Sequence, residues 1–460
     1  MLCSIYSLEI LYKKYASNSR LSFLCVPLER SEKGMEYSMK KKIIIISIIF
    51  LVIAIVIASV IGYNIISKRR EKEANERLVQ QKNEELLANI KSKYNKTVKM
   101  NKEANLYSLV DGNYVEDGKI GNAVELTLED MPEITLEDKY FKIANMDYYI
   151  YYEDIDKIDT LTEKDTRYKS YIPFNENAVT KDTTSFYNDS GLVYTINKSY
   201  NLPIIIKNED KYYVEFQDEL LYVKKDDTVR VEYADNSQEE SLKSVSVITY
   251  HFFYDKSQNE VCDEVICHTT DQFESHLKYL KDNNYFTMTM KELDLFIDEN
   301  IRLPKNSVVI TIDDGAMGVS SKAIPLLEKY DLHATLFLIT AWFNKEDFIS
   351  PNIEIHSHGD NLHNPGVCPG GQGGAIKCVD KDELLADLAK TRSILDNTTV
   401  FCYPFYEYND YAISVLKEAG FTMAFKGGET KVYPGCDKFK IPRFTFYGYT
   451  TLSQFIATIK

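Results

Sequence analysis

An apolar run that ends in two aspartates and a glycine places the strongest constraint on how this chain folds. Residues 308–315 read VVITIDDG, and the five apolar or β-branched residues predict a buried strand. Asp313 and Asp314 stand where that strand ends, and Gly315 allows the chain to turn. A plain strand end with an Asp-Gly turn would give the same pattern. In an α/β barrel, however, the carboxyl ends of the strands carry the chemistry.

Strand and helix patterns alternate from residue 245 to the end of the chain. Repeated units of this length indicate a mostly parallel sheet or barrel, so we predict one α/β domain over residues 245–460. Besides the strand at 308, the predicted elements include strands at 245–250, 286–289, 334–339, 353–356, 400–403 and 423–425, and helices at 270–283, 291–299, 320–330, 381–396 and 409–419.

The N-terminal part of the chain contains an uncharged apolar run, residues 43–63, which is 21 residues long. A helix of that length spans a bilayer, and we predict a transmembrane signal anchor at residues 43–65. A buried core helix or a cleaved signal peptide are the alternatives. Residues 1–38 resemble neither a signal nor a domain, and we interpret them as an upstream extension of the reading frame or a cytoplasmic tail. Their basic residues favour a cytoplasmic N-terminus, which predicts an extracellular C-terminal domain on a single-pass cell-membrane protein.

The region between the anchor and residue 245 has two kinds of sequence. Residues 67–104 are charged and rich in helix formers, which predicts a solvated helical stalk. Short alternating strand patterns follow, and a faint repeat relates EDKYFKI at 137–143 to EDKYYVE at 209–215. We predict two small all-β modules, at 105–160 and 182–235. The segment 147–155 resembles bacterial SH3-like wall-binding modules, in which tyrosines either stack on sugars or pack across strands.

Charge and histidine content limit the classes of function. The net charge of −15 argues against a nucleic-acid partner, because phosphate binding requires a basic face. All seven histidines follow residue 250, so imidazole chemistry belongs to the C-terminal domain. His356, His358 and His363 follow a predicted strand, as ligands of zinc or a similar divalent ion would. Two of them together with Asp314 would form an open three-ligand site, which leaves Asp313 free to accept a proton. Surface histidines in a polar loop are the simpler alternative.

Several motifs in a fixed order resemble the polysaccharide deacetylase (NodB-homology, carbohydrate esterase family 4) family. They are TIDDG at 311–315, ATLFL at 334–338, EI-x-SH ending at His358, YPF at 403–405 and YND at 408–410. The lead-in, VITYH ending at His251, resembles the branch that includes poly-N-acetylglucosamine deacetylases. The resemblance covers residues 245–460 and implies a distorted (β/α)7 barrel that hydrolyses acetamido groups of a sugar polymer.

The resemblance also implies roles for individual residues. Asp313 corresponds to the general base, and Asp314, His358 and His363 to the metal ligands, with His356 as a rival ligand. The family's arginine is missing beside the YPF motif, where Cys402 stands, so we expect Arg443 to orient the base. The usual late histidine acid is also missing, and His251 is our candidate for that role. We predict that a sugar cleft is lined by Phe405, Tyr406 and Trp342, although core packing would also explain these residues.

We therefore predict a membrane-anchored, extracytoplasmic, metal-dependent N-deacetylase. Its substrate would be peptidoglycan or a poly-N-acetylglucosamine-like exopolysaccharide, and its metal Zn²⁺, with Co²⁺, Ni²⁺ or Fe²⁺ as alternatives. An O-acetyl polysaccharide esterase and a catalytically inactive glycan-binding or cell-wall-binding protein are the competing hypotheses. Six cysteines after residue 260 suggest disulfides, most simply 262–267, 368–378 and 402–436.

Overall fold

A computed structural model describes residues 48, 51–52, 62–78, 80–81, 97–100, 102–129, 139–159 and 166–460. The chain divides into two units, Met1–Glu85 and Leu86–Lys460. In the first unit, residues 62–78 are helical. No helix within the described ranges combines the length and apolar character needed to cross a membrane. The predicted anchor at 43–65 and the predicted extension at 1–38 lie largely or wholly outside those ranges.

A region of antiparallel strands opens the second unit. It starts at Thr97, which lies inside the segment 67–104 that we predicted as a helical stalk. Residues Thr97–Met100 instead form a strand, which pairs with two later strands. Its strands are β1 Thr97–Met100, β2 Ala104–Val110, β3 Asn113–Ile120, β4 Glu125–Thr127, β5 Tyr140–Lys142, β6 Tyr149–Tyr151, β7 Ile155–Asp159, β8 Glu176–Thr180, β9 Thr184–Asn188, β10 Gly191–Ile196, β11 Asn201–Pro203, β12 Ile206–Lys207, β13 Lys211–Phe216, β14 Glu219–Lys224 and β15 Thr228–Tyr233.

The strand order of this β region is duplicated, in agreement with the faint sequence repeat. One three-stranded sheet has the order β4-β1-β7, and another has the equivalent order β11-β8-β15. A nine-stranded sheet contains β5-β6-β2-β3 followed by the mirrored order β10-β9-β14-β13, with β12 at its edge. The two copies meet where β3 pairs antiparallel with β10. One hydrophobic core runs through both copies, so they form a single packed body rather than two separate barrels.

The C-terminal domain is built on a curled parallel sheet. Its path is β24-β23-β22-β21-β20-β16-β25, and β19 pairs with the start of β20. The strands are β16 Ser246–Tyr250, β17 Phe252–Tyr254, β18 Cys267–Thr269, β19 Phe286–Thr287, β20 Ser307–Asp314, β21 Ala334–Leu338, β22 Ile353–Ser357, β23 Val400–Cys402, β24 Met423–Phe425 and β25 Phe444–Thr445.

Helices cover the outer face of this sheet. Alternate residues such as Ile310 and Leu336 pack against the helices, whereas Val309 and Phe337 point into the interior, so the strands are buried on both faces. Thr269 begins the first helix with a capping box to Gln272, which satisfies its exposed amides. The helices are α1 Thr270–Asp282, α2 Met290–Ile297, α3 Ile324–Tyr330, α4 Lys381–Ile394, α5 Asp410–Glu418 and α6 Leu452–Ile459.

The sheet is a partial barrel whose two edges are linked by one chain segment, rather than a regular (β/α)7 barrel. Ile441 pairs with Phe425 at the β24 edge, and a few residues later β25 pairs with β16. Because this segment pairs with both edges of the sheet, Arg443 lies in the gap between them and its side chain is buried inside the barrel.

The β region is attached to the amino-terminal end of the parallel strands. Ile172 N donates to Arg302 O at 2.8 Å, and Arg302 precedes the start of β20. The Arg167 guanidinium forms two hydrogen bonds, of 3.1 and 2.7 Å, to the carboxylate of Glu292 in α2. The Tyr171 hydroxyl donates to that carboxylate at 2.5 Å. The Glu292 side chain is 4% exposed, so these partners take the place of water around its carboxylate.

We predict that Arg167→Met destabilises the chain by about 2–3 kcal/mol, because it leaves a buried carboxylate without its cation. Thermal and urea unfolding would measure the loss. Lys305→Met is the matched control, since Lys305 also joins the preceding linker to this domain through Glu240, but both side chains are more than 70% exposed. An exposed pair contributes little, so equal losses in the two variants would contradict the role of Glu292.

Candidate active site

The carboxyl end of β20 delivers both aspartates to one place. Side chains alternate along a strand, but Asp314 has a φ of 73° and Gly315 a φ of 88°, so the strand breaks at the second carboxylate. A side chain at position 315 would come within 2.4 Å of Leu338 Cδ1, which explains the glycine. The break turns Asp314 toward the histidines while Asp313 stays in the interior.

Asp314, His358 and His363 form a group with the chemistry of a metal site. Asp314 Oδ1 lies 3.4 Å from His358 Nε2 and 3.5 Å from His363 Nε2. One ligand atom from each residue lies within 4.8 Å of the others. Asp314 Oδ1 is buried and has no hydrogen-bond partner among the described residues, which an ion held between the three would supply. The donor set of one carboxylate and two imidazoles fits a divalent ion such as Zn²⁺.

The environment of each histidine prepares it as a ligand. His358 Nδ1 lies 2.9 Å from the Cys402 carbonyl oxygen, which can only accept, so Nδ1 carries the proton and Nε2 is directed at Asp314. Burial lowers the pKa of His363 to about 4, so this ring is neutral at pH 7. Cys402 also lies near Asp313 and His358 as a possible ligand group, but the Arg443 cation contacts both Cys402 and Asp313 and disfavours an ion there.

The loop that carries His363 is held by residues that sequence reasoning missed. Asp387 in α4 accepts from Asp360 N at 2.8 Å and from Asn361 N at 2.7 Å. The Asp360 carboxylate in turn accepts from Thr340 Oγ1 and from Lys390 Nζ. Asp387 is not part of any sequence motif. Its role in holding this loop is visible only from its hydrogen bonds to the loop amides in the folded structure.

Asp313 is paired with Arg443 in the interior of the domain. The guanidinium donates to the two carboxylate oxygens at 2.7 and 2.8 Å, and both side chains are almost completely buried. Burial alone would raise the pKa of Asp313, but the charge of Arg443 outweighs it and holds that pKa well below its usual range. Asp313 is therefore an ionised carboxylate with a fixed orientation.

His251 lies on the other side of Asp313. Its Nε2 is 3.8 Å from Asp313 Oδ2 and 3.4 Å from the Tyr406 hydroxyl, which also accepts from Thr445 Oγ1. Burial lowers the pKa of His251 although Asp313 and Asp314 oppose that shift, so the neutral ring predominates at pH 7. A neutral imidazole at this point can receive a proton and pass it on.

The three predicted aromatic residues lie around this group. The ring centroids of Phe405 and Trp342 are 4.2 and 5.6 Å from that of His363. Trp342 is 50% exposed, whereas Tyr406 lies against His251. Phe405 and Tyr406 both have positive φ values, of 57° and 61°, an uncommon backbone conformation for aromatic residues that is often found at functional sites.

Two expectations from the sequence differ from the structure. His356 does not join the candidate metal group, because it hydrogen-bonds Thr398 Oγ1 at 2.7 Å while His358 lies beyond the end of β22. The disulfides 262–267 and 368–378 are formed, but Cys402 and Cys436 are free. Cys402 is buried against Arg443, whereas Cys436 lies in a loop at the other edge of β24.

Part of the sequence is similar to known proteins. The model of the family described as polysaccharide deacetylase matches residues 300–424. A putative polysaccharide deacetylase, YxkH, of Bacillus subtilis is 29% identical over 167 residues, which are 33% of this chain and 56% of that protein. The poly-beta-1,6-N-acetyl-D-glucosamine N-deacetylase of Staphylococcus aureus strain MSSA476 is 26% identical over 223 residues, 44% of this chain and 74% of that protein.

Solved structures are similar at a lower level. The Streptococcus pyogenes deacetylase PplD in complex with acetate has a TM-score of 0.41 and 17% identity, covering 48% of this chain and 100% of that chain. IcaB from Ammonifex degensii has a TM-score of 0.40 and 20% identity, covering 48% and 97%.

The family match falls within the parallel-sheet region, which is therefore a hydrolase domain of mixed α and β structure. More particularly, the chain contains a domain of the polysaccharide deacetylase family, which confirms the resemblance found from its motifs.

We predict that His358→Ala and His363→Ala each lower the affinity for Zn²⁺ at least 100-fold, since each removes one of three protein ligands. Titration of the metal-free chain by calorimetry would measure the loss. His356→Ala is the matched control and should bind Zn²⁺ normally. Unchanged binding in the His358 and His363 variants would place the metal elsewhere.

Proposed function

We propose that this protein is a metal-dependent polysaccharide N-deacetylase that hydrolyses acetamido groups of an amino-sugar polymer. The observation that carries the proposal is the candidate ligand group of Asp314, His358 and His363 directly beside the Asp313–Arg443 pair. A hydrolase needs an electrophilic centre and a base within reach of the same water, and these two groups supply both. Membership of the C-terminal domain in the polysaccharide deacetylase family supports the same chemistry.

The chain's own residues divide the proton transfers. A bound divalent ion would polarise the acetyl carbonyl and lower the pKa of a water molecule. Asp313, oriented by Arg443, accepts the proton of the attacking water. His251 Nε2 lies 3.8 Å from Asp313 Oδ2, from where it receives that proton after a small approach or through one water molecule. His251 then protonates the leaving amine, and acetate and the free amino sugar separate.

The alternatives use the same site in different ways. A catalytically inactive glycan-binding protein would not need the base, its orienting arginine and the three candidate ligands together, and all are present here. An O-acetyl esterase would use the same metal and base. Its alcohol leaving group depends less on protonation by an acid than the amine leaving group of an N-deacetylase does. The contact of His251 with both Asp313 and Tyr406 therefore favours the amide reaction.

We propose a poly-N-acetylglucosamine-like exopolysaccharide as the substrate class, with peptidoglycan as the second candidate. Support comes from the Staphylococcus aureus relative, whose name gives poly-beta-1,6-N-acetyl-D-glucosamine as its substrate. The rings of Trp342 and Phe405 both lie beside His363 and offer aromatic faces for a sugar ring.

We propose that the catalytic domain is extracellular and anchored in the cell membrane by residues 43–65. The uncharged run at 43–63 and the two disulfides support that location, since disulfides persist in oxidising compartments. We further propose that the duplicated β region is a tandem of SH3-like modules, an idea supported by its short strands and its paired copies.

We predict that the full chain loaded with Zn²⁺ releases acetate from poly-β-1,6-N-acetylglucosamine and that a chelator stops the release. Asp313→Asn should keep the metal ligands in place, because asparagine still offers Arg443 one acceptor, but the buried cation loses its countercharge, so the melting temperature should fall and turnover of the folded chain should drop about 10²–10⁴-fold. Metal analysis and thermal unfolding provide the controls. Acetate release from O-acetylated xylan alone would favour the esterase, and none from any glycan would favour the inactive binding protein.

We predict that His251→Ala lowers turnover of an acetamide by about 10²-fold or more, but lowers that of an activated aryl acetate much less. The phenolate can leave without being protonated, whereas the amine must receive a proton before it leaves. Comparison of kcat for the two substrates at equal metal occupancy gives the test. Equal losses on both substrates would assign His251 a structural role.

A further inference from the structure

The two copies of the β region form an open pocket of about 370 Å³ that the catalytic site does not use. We call it the junction pocket. Its walls come from both copies, and the residues that define it are Asp117, Asp147, Tyr148, Lys198, Tyr200 and Phe216.

Equivalent turns of the duplication meet at this pocket. Asn145 and Gln217 are separated by 72 residues, the same offset that relates the repeated motifs at 137 and 209. Gln217 Nε2 donates to the Asn145 carbonyl oxygen at 3.3 Å, and both residues have positive φ values. The pocket therefore exists only because two copies are joined, and a single copy would present an open surface instead.

The aromatic wall of the pocket is fixed by packing. Phe216 stacks on Phe186 with ring centroids 4.0 Å apart, and Tyr200 meets both rings edge to face. Tyr148 packs on the same core from the other copy. Burial and the charge of Asp117, to which Tyr148 is hydrogen-bonded, raise the pKa of Tyr148 to about 12, so its hydroxyl stays protonated and links the aromatic wall to that carboxylate.

The remaining lining is polar and carries both signs of charge. Asp117 and Asp147 provide two carboxylates, and the Asp147 side chain is fully exposed. Lys198 Nζ lies 5.5 Å from the centroid of the Tyr200 ring. Rigid aromatic faces bordered by carboxylates, amides and an ammonium group suit a ligand with an apolar face and many hydroxyl groups, as a pyranose ring has.

We infer that the junction pocket binds a hexosamine unit of a glycan chain as a second, non-catalytic site. The volume fits one sugar ring, with Tyr148 and Tyr200 against the ring and Asp117 and Asp147 in reach of its hydroxyl or amino groups. The choice of a hexosamine, rather than another sugar, rests on the proposed function.

The position of the pocket indicates what this second site does. The β region contacts residues that precede β20, at the amino-terminal end of the parallel strands, whereas Asp313 and Asp314 lie at the carboxyl end. A glycan segment in the junction pocket is therefore not the segment whose acetamide is being hydrolysed. It holds the enzyme on the polymer while the catalytic end acts on another segment.

The test uses the full chain with Asp313→Asn, which prevents turnover, and calorimetric titration with β-1,6-linked tetramers of N-acetylglucosamine and of glucosamine. Tyr148→Ala and Tyr200→Ala should each weaken binding of at least one tetramer about tenfold, as expected when an aromatic contact is removed. Tyr222→Ala is the matched control, because Tyr222 stacks on Tyr187 in the same sheet without lining the pocket. Asp117→Asn keeps the shape of the pocket. It should weaken binding of the glucosamine tetramer more than binding of the acetylated tetramer if the amine lies next to Asp117.

The outcomes separate this inference from the proposed function. In the otherwise unaltered chain, Tyr148→Ala should raise the KM for polymer while leaving turnover of a monomeric acetamide unchanged. The inference that the junction pocket binds glycan would be wrong if Tyr148→Ala, Tyr200→Ala and Asp117→Asn all left the binding of both tetramers unchanged. This conclusion would hold whatever the catalytic result. If these variants lose binding but the unaltered chain releases no acetate from any glycan, the inference of a glycan-binding pocket would stand and the proposed deacetylase function would be contradicted.

Discussion

The buried ion pair between Arg443 and Asp313 is the interaction on which the rest of the C-terminal domain depends. Arg443 is completely buried, and an unpaired guanidinium in such a place would cost several kcal/mol. Its charge is met by Asp313, while Thr311 and Cys402 accept further hydrogen bonds and the rings of Phe337 and Tyr406 lie beside it. The segment that closes the gap between β24 and β25 thus cannot move without exposing the base to a different environment.

The architecture separates two tasks along one axis of the parallel sheet. The carboxyl ends of the strands carry the paired aspartates and the imidazoles, which is where an α/β sheet leaves its loops free to vary. The amino-terminal ends are occupied by the duplicated β region, fixed by the buried Glu292 carboxylate. A rigid attachment at that end leaves the catalytic end open to a polymer.

Sequence reasoning found the parts of the site that depend on local pattern. The strand at 308, the adjacent aspartates and the histidines after β22 all follow from residues close together in the chain, and the predicted strands and helices lie within a few residues of those observed. The missing parts depend on distant contacts. Nothing in the sequence around Asp387 links it to the loop of His363, and the alternation of β22 suggested that His356 would accompany His358. The pairing of Cys402 with Cys436 failed for the same reason, since the interior position of Cys402 depends on Arg443 from a later segment.

The break of β20 at Asp314 explains how two adjacent carboxylates remain ionised together. In a continuous strand they would point to opposite faces, and on one face they would repel, which would raise the pKa of one of them. Here the positive φ of Asp314 separates the surroundings of the two carboxylates, with Arg443 on Asp313 and the two imidazoles around Asp314. The pKa of each aspartate is lowered despite burial. The proposed division between Asp313 as base and Asp314 as ligand therefore rests on one backbone angle and the partners of each carboxylate, and it does not require the two residues to differ in chemical type.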